Sequence, residues 1–332
     1  MTSSNSGGDG SLFSLYLGVD LGGSMVRAGL VDASGAVVRE REPVTASEQP
    51  DELFQQLIDA VGELLSDETS RSAIAGVGVG LPGPVDPESR RAIAVPELPD
   101  LSAIDVYGEL RRSTGLPVRL EEDATAGAYG EFRFGAGRGS KSVLYVQIGT
   151  AVVAGLILDG RIWRGANGLA GGIGSMTIDP NGIEGPSGIP GALDTVCSAP
   201  NIARRANERL HRDRTSSLSK LVIPRDRELA GTDIAKAAAS GDDLAQLIME
   251  RTAVHLGVAI GGAISLLNVE TVVLGGSVVT SAGRWLIDPV VENTRVRTAP
   301  EAFAACKILP AGLGERSVMI GAGLLARDEA SA

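Results

Sequence analysis

One hairpin pattern is written twice in this chain. At LYLGVDLGGSMVRAGLVDASGAVVRE, two β-rich runs flank a Gly-Gly-Ser turn, and a second turn at Ala33-Ser34-Gly35 leads into a third run. At SVLYVQIGTAVVAGLILDGRIWRG, apolar runs flank Gly149-Thr150 and a tighter Asp159-Gly160 turn follows. The copies align as strand, Gly-Thr/Ser turn, strand carrying Ala-Gly-Leu, Asp-containing turn, strand, roughly 125 residues apart. Such self-similarity predicts a duplicated α/β domain. A chain of 332 residues with 43% hydrophobic composition is long enough for the two packed cores this requires.

The segments after each hairpin fit that reading. DELFQQLIDAVGELLSD has helical spacing, and IAGVGVGLPGPVDP is a buried strand running into a Pro-Gly-Pro loop. AIDVYGELRRSTGLPVRLEEDATAGAYGEFRFGAG reads as a helix, the strand PVRLEED, and a second helix from Ala124. Further on come an amphipathic helix APNIARRANERL, a loop-rich insertion over 216–232, and a long helix DLAQLIMERTAVHLGVAIGGAISLLN. A strand VETVVLGGSVV meets a Gly-Gly turn, and SVMIGAGLLARDEA is a closing helix. Two such lobes around a cleft make a nucleotide-binding arrangement, because each Gly-Thr/Ser hairpin turn offers backbone N–H groups to phosphate oxygens.

The net charge of −11 disfavours a nucleic acid as partner, since neutralising phosphates takes a cationic face. The basic RRANERLHRDR stretch reads as a solvated helix face. Two cysteines, Cys197 and Cys306, give no disulfide framework and point to a cytoplasmic protein. Residues 1–14 read as a disordered leader rather than a signal peptide, and no apolar run reaches the roughly 18 residues that span a membrane. His211 and His255 lie on helical segments without partners at ligand spacing and read as structural or surface residues.

Asp20 ends an apolar strand, where a buried carboxylate is costly unless it meets a cation or a donor; Mg²⁺ with a bound nucleotide supplies one. Gly22, Gly23 and Ser24 then form a turn whose small side chains let a phosphate approach the backbone, although a plain hairpin turn has the same composition. Asp123 ends one strand and precedes a helix. That placement suits a general base accepting a proton from a substrate hydroxyl, and it also suits a helix N-cap.

Taken in order, GVDLGGSMVRAGLVD, GVGVGLPGPVD, EEDATAGAYGE, GANGLAGGIGS and VVLGGSVV resemble the ROK family (repressors, open reading frames, sugar kinases). The first of these looks like the first phosphate loop of the actin/hexokinase-like ATPases. The resemblance runs from about residue 16 to 326. It implies a two-lobed actin/hexokinase-like (ribonuclease H-like) fold, with a smaller lobe of residues 15–122 plus 317–332 and a larger one of 123–316. It further implies ATP and Mg²⁺ as cofactors, phosphates held at Gly149-Thr150 and adenosine at Gly275-Gly276, Asp123 as the catalytic base, and a homodimer.

Where this chain departs from the family, it does so mainly on the substrate side. The family's Asn-Asp-Ala-Asn is Glu122-Asp123-Ala124-Thr125, and Glu97 stands where an Asn is common. The family's AGExGH supplies a Glu to the sugar and a His to a structural zinc; here those positions are Gly172 and Ser175. The cysteines of its zinc loop are replaced by Gly185, Ser187 and Ala192, residue types that cannot supply the tetrahedral N/S ligand set, so no zinc is expected. Asp194 replaces a sugar-binding Glu. The second phosphate loop carries Ala151 and Val153 in place of glycines, which narrows its backbone freedom.

Two readings follow. In one, the chain is a kinase with a changed acceptor, a small polyol such as a cyclitol, aminocyclitol or modified sugar; Glu97 and Glu122, unless they are solvated surface acids, pair with its polar groups. In the other it is a catalytically inactive ligand-sensing or interaction protein. Repressors of the family carry a winged helix-turn-helix ahead of the kinase-like part, for which the residues before Asp20 leave no room.

Overall fold

Each predicted hairpin opens a sheet. A computed structural model of the protein describes residues 15–67, 71–93, 99–185, 187–210, 215–222 and 228–330. The first sheet contains β1 (Leu15–Leu21), β2 (Met25–Asp32), β3 (Val37–Glu40), β4 (Val44–Thr45), β5 (Ile74–Leu81) and β6 (Val118–Glu122), in the order β3-β2-β1-β5-β6, with β4 on β2. The second contains β7 (Val143–Ile148), β8 (Val152–Leu158), β9 (Arg161–Ile162), β10 (Thr271–Gly275) and β11 (Lys307–Pro310), in the order β9-β8-β7-β10-β11. Both sheets pair their first three strands antiparallel and add two parallel strands on the other side of the first. The sequence repeat is therefore a repeat of topology.

The helices are α1 (Pro50–Leu65), α2 (Val106–Thr114), α3 (Asp123–Phe134), α4 (Ala199–Leu210), α5 (Gly231–Ala239), α6 (Asp243–Leu267), α7 (Ser277–Ala282), α8 (Arg284–Arg295) and α9 (Ser317–Ala330), with short turns at Asp194–Cys197, Ser219–Val222 and Pro300–Ala304. Helix α1 starts at a proline with Asp51 and Glu52 in its first turn, and buries Leu53, Leu57, Ala60, Val61 and Leu64 at helical spacing. Helix α6 is capped by Asp242, whose carboxylate accepts the Ala245 N–H at 2.9 Å, and ends at Asn268 in the left-handed conformation. This helix is long and apolar enough to cross a membrane by length and composition, a length not anticipated from apolar runs, and most of it is buried within the protein. The expected insertion over 216–232 contains the turn Ser219–Val222 and gives way to α5 at Gly231, while residues 223–227 lie outside the described residues.

Helix α9 joins the halves. It lies between the first sheet and α3, and α3 packs in turn on β7 and β8. A Cβ on Gly18 or Gly78 would sit 2.0 Å from the Met319 carbonyl oxygen or 1.9 Å from that of Ala322, so only glycine lets this helix rest directly on the strands. One core cluster consequently draws Val31 of β2, Ala124 and Ala128 of α3, Tyr145 of β7 and Met319 of α9 together. The turn entering α9 is held by Glu131, a fully buried carboxylate on α3 that accepts from the Ala136, Gly312 and Leu313 N–H groups and from the Ser317 hydroxyl, all within 2.9 Å.

Candidate active site

Strand alternation aims the first candidate residue. Leu17, Val19 and Leu21 enter the core behind the first sheet, so Gly18 and Asp20 face the opposite side, toward α9. Burial and the nearby Asp123 carboxylate push the Asp20 carboxyl well above the ordinary carboxylate range, against the opposing pull of Arg27. Arg27 stands opposite Asp20 in the β1–β2 register and is ion-paired with Glu40 and Glu315, each at 2.8 Å. Asp20 is thus a carboxylate whose charge is poorly compensated by the protein around it.

The turn after β1 is closed by the Gly22 N–H donating to the Met25 carbonyl at 3.1 Å, which leaves Gly23 and Ser24 exposed. A Cβ on Gly23 would fall 2.8 Å from Thr150 Oγ1, so the two glycine turns face each other closely enough that residue 23 has no room for a side chain. The second turn is set by Gly149, whose N–H donates to the Ala151 carbonyl at 3.0 Å and whose carbonyl accepts the Ala199 N–H at 2.8 Å. Val153 is partly buried against the shared core cluster. Asp194 lies beneath this turn, with Oδ1 accepting the Val152 N–H at 2.6 Å. Gly275 and Gly276 follow β10. A Cβ on Gly275 would meet the Tyr145 hydroxyl at 2.4 Å, and Gly276, at φ 91°, lies close against the backbone of Ile148.

Asp123 opens α3 directly from the end of β6 and is buried. Its Oδ1 accepts the Ala124 N–H at 2.6 Å, and its Oδ2 accepts the Gln147 side-chain amide at 2.7 Å. Glu122, also buried, accepts the Thr125 hydroxyl at 3.1 Å; burial, with the Asp123 and Glu121 charges adding to it, pushes this carboxyl up to about 8. Glu121 is compensated: Arg164, from the segment after β9, and Arg119 both bind it, with Arg164 Nε at 3.0 Å and Arg119 Nη2 at 3.1 Å from Oε2.

The 165–194 loop reaches the same region through Gly174, where a Cβ would lie 2.5 Å from Asp194 Oδ2. Gly172 and Ser175 are exposed; a Cβ at Gly172 would meet nothing within 4 Å, and its φ of −68° suits any residue. Gly172 immediately precedes the short helical turn Ile173–Ser175, which Ser175 ends. The rest of the loop is closed by backbone pairing, with bridges Thr177–Ala192 and Glu184–Pro190, and with the Gly191 N–H on the Ile183 carbonyl at 2.8 Å. Gly185 and Ser187 lie within it. Glu97 and His211 fall outside the described residues.

The structure therefore brings Asp20 near Asp123 and Gly23 against Thr150, with Glu122 adjacent and Asp194 supporting the second turn. Sequence reasoning passed over Gln147 and the Glu121–Arg164 pair. Gln147 carried a signal: it is the only polar residue of the strand VLYVQI other than a tyrosine, on the face that Val143 and Tyr145 turn toward α3. The ion pair joins residues 43 apart and left no local signature.

The ROK family model matches residues 16–329. A glucokinase of Halalkalibacterium halodurans is 31% identical over 317 residues, covering 95% of each chain. The crystal structure of a ROK family glucokinase from Streptomyces griseus in complex with glucose and AMPPNP superposes with a TM-score of 0.84 at 27% identity, over 95% of this chain and 99% of that one. A ROK family transcriptional regulator homologous to the E. coli MLC protein gives 0.81 at 26%, over 95% of this chain and 78% of the regulator. With the doubled topology, the facing glycine turns and the strand-to-helix aspartate all in place, this chain belongs to the ROK family and has its actin/hexokinase-like fold.

Proposed function

We propose that this protein is an ATP-dependent kinase that phosphorylates a hydroxyl of a sugar-like acceptor. The observation that carries the reading is the close approach of the two glycine turns, at Gly23 and Thr150, together with the Asp20 and Asp123 carboxylates beside one another. The lobes are residues 15–122 with 317–332, and 123–316. A nucleotide fits this chain: with no side chain at the exposed Gly23, the backbone of the first turn is open to phosphate oxygens beside Thr150, and the poorly compensated Asp20 suits the Mg²⁺ that accompanies them. When bound, ATP with its Mg²⁺ supplies the transferable phosphoryl group and neutralises its charge.

Gly23, Ser24 and Thr150 offer backbone N–H groups to the phosphates, and Gly22 and Gly149, whose own N–H groups close the two turns, leave the approach clear of side chains. Gly275 and Gly276 admit the adenosine, and Asp20 orients the metal. Asp123 accepts the proton of the attacking hydroxyl at its carboxylate, and closure of the lobes excludes water. Zinc does not fit, because Ser175, Gly185, Ser187 and Ala192 offer neither thiolate nor imidazole.

The acceptor is a cyclitol, aminocyclitol or modified sugar rather than glucose. The open space at Gly172 and the buried Glu122 support this choice, and Glu97, Ser175 and Asp194 complete the acceptor side. The active form is a homodimer in the cytoplasm. Titration calorimetry with a non-hydrolysable ATP analogue, followed by an ADP-release assay over hexoses, amino sugars and cyclitols, tests the reading. Asp123→Asn is expected to lower turnover by about 10²–10⁴-fold. Full activity in that variant refutes the mechanism, and glucose as the best acceptor refutes the acceptor class.

One observation favours the second reading, a ligand-sensing protein. Val153 packs against the core cluster where the family has glycine, stiffening the second turn. Absence of nucleotide binding at millimolar concentration would select it.

A further inference from the structure

We propose that Gln147 is a positioning residue for Asp123, its side-chain amide fixing the orientation in which the carboxylate meets the acceptor hydroxyl. Its catalytic meaning rests on the kinase reading above; the hydrogen bond itself does not.

Asp123 is the first residue of α3, and its Oδ1 accepts the adjacent Ala124 N–H at 2.6 Å. The final torsion of an aspartate side chain is broad and roughly two-fold, so the plane of the carboxylate is set by the groups that meet it. Gln147 reaches it from β7 and takes Oδ2 at 2.7 Å. An ionised carboxylate only accepts hydrogen bonds, so the group Gln147 presents must be its NH₂. The opposite end of the amide is met by the hydroxyl of the buried Tyr145, donating to Oε1 at 3.5 Å. A chain from Tyr145 through Gln147 to Asp123 thus sets the plane of the carboxylate from both ends. Gln147 also lies two residues before Gly149, on the strand that delivers the second glycine turn. Base and phosphate loop are thereby tied to one rigid element, which holds the donor and acceptor sides in register.

A positioning residue and a merely space-filling one predict different kinetics. Gln147→Met keeps the length and removes the donor. It is expected to lower kcat about 10- to 100-fold, with KM for ATP and for the acceptor within about twofold of the original. In the Asp123→Asn background the same change should cost nothing further, because the group it orients is no longer a base. Gln147→Glu, which sets a second carboxylate against Asp123, should lose at least as much as Gln147→Met. Wild-type kcat in Gln147→Met, a loss confined to KM, or an additive loss in the Asp123→Asn background overturns the proposal.

A second readout needs no turnover. In protein labelled with ¹⁵N-glutamine, the side-chain amide resonance that vanishes in Gln147→Met should shift in Asp123→Asn, and a resonance that stays in place overturns the bond. A wild-type protein that transfers phosphate to no acceptor defeats the kinase reading instead, leaving this resonance to decide the contact.

Discussion

Glu122 gives the sharpest test of how this site is built. Its carboxyl is buried beside Asp123, and burial with that neighbouring charge raises it from an ordinary 4.5 to about 8. The folded protein therefore holds a proton there across an interval in which the unfolded chain has released it. The folded state binds more protons than the unfolded one, so stability falls as pH rises through that interval and levels off above pH 8. Each unit of difference is worth about 1.4 kcal/mol, so between pH 6 and pH 9 the folded state loses about 2–3 kcal/mol through this group. Glu122→Gln removes the titration while keeping the shape and a hydrogen-bonding head. Urea denaturation at pH 6, 7, 8 and 9 should show the wild type losing about 2–3 kcal/mol more than the variant over that range. Comparison of the two proteins cancels Asp20, which titrates upward in both. Stability curves that run parallel mean the fold carries an ionised Glu122 without penalty, and the reasoning fails. The same proton bears on the acceptor. At neutral pH Glu122 presents an O–H and a C=O, as an asparagine amide presents N–H and C=O, and only an acceptor bearing an amino group would draw the proton away.

Two other residues give independent tests. Each oxygen of Glu131 accepts two hydrogen bonds, so Glu131→Gln must turn an NH₂ toward at least one backbone N–H. It should cost about 3 kcal/mol in chemical denaturation, and a loss below about 1 kcal/mol would refute the role assigned to that carboxylate. Gly172→Glu should be tolerated, because φ is ordinary and the space is open. It should raise kcat/KM for glucose by about tenfold, and unchanged acceptor preference would show that this position does not face the acceptor.

The parts of the fold legible in the sequence were those with local causes. The paired hairpins announce themselves because their turns need glycine or a short polar residue and their strands alternate. Helices α1 and α6 carry apolar periodicity and recognisable starts. What was missed has little local signal. Helix α5 is an alanine-rich stretch whose helicity comes from burying Ile234, Ala235 and Ala238, α8 carries Pro289 in its interior, and β11 is four residues that pair only with β10. The site divides the same way. Asp20, Asp123 and the glycine turns stand at strand ends where their chemistry is conspicuous, whereas the partners of Asp123 and Glu121 come from strands and loops remote in sequence.

Helix α9 has a consequence for how the protein is made. The first sheet emerges from the ribosome early, yet the helix that covers the Gly18 and Gly78 face is roughly 240 to 300 residues further along the chain. During synthesis that face has no native cover, so the first half cannot finish folding as an independent unit while the second is still being translated. Contacts of such long range make folding slow and leave the nascent half dependent on protection from aggregation. They also make the whole protein sensitive to trimming at its far end, since losing α9 uncovers the first sheet and α3 together.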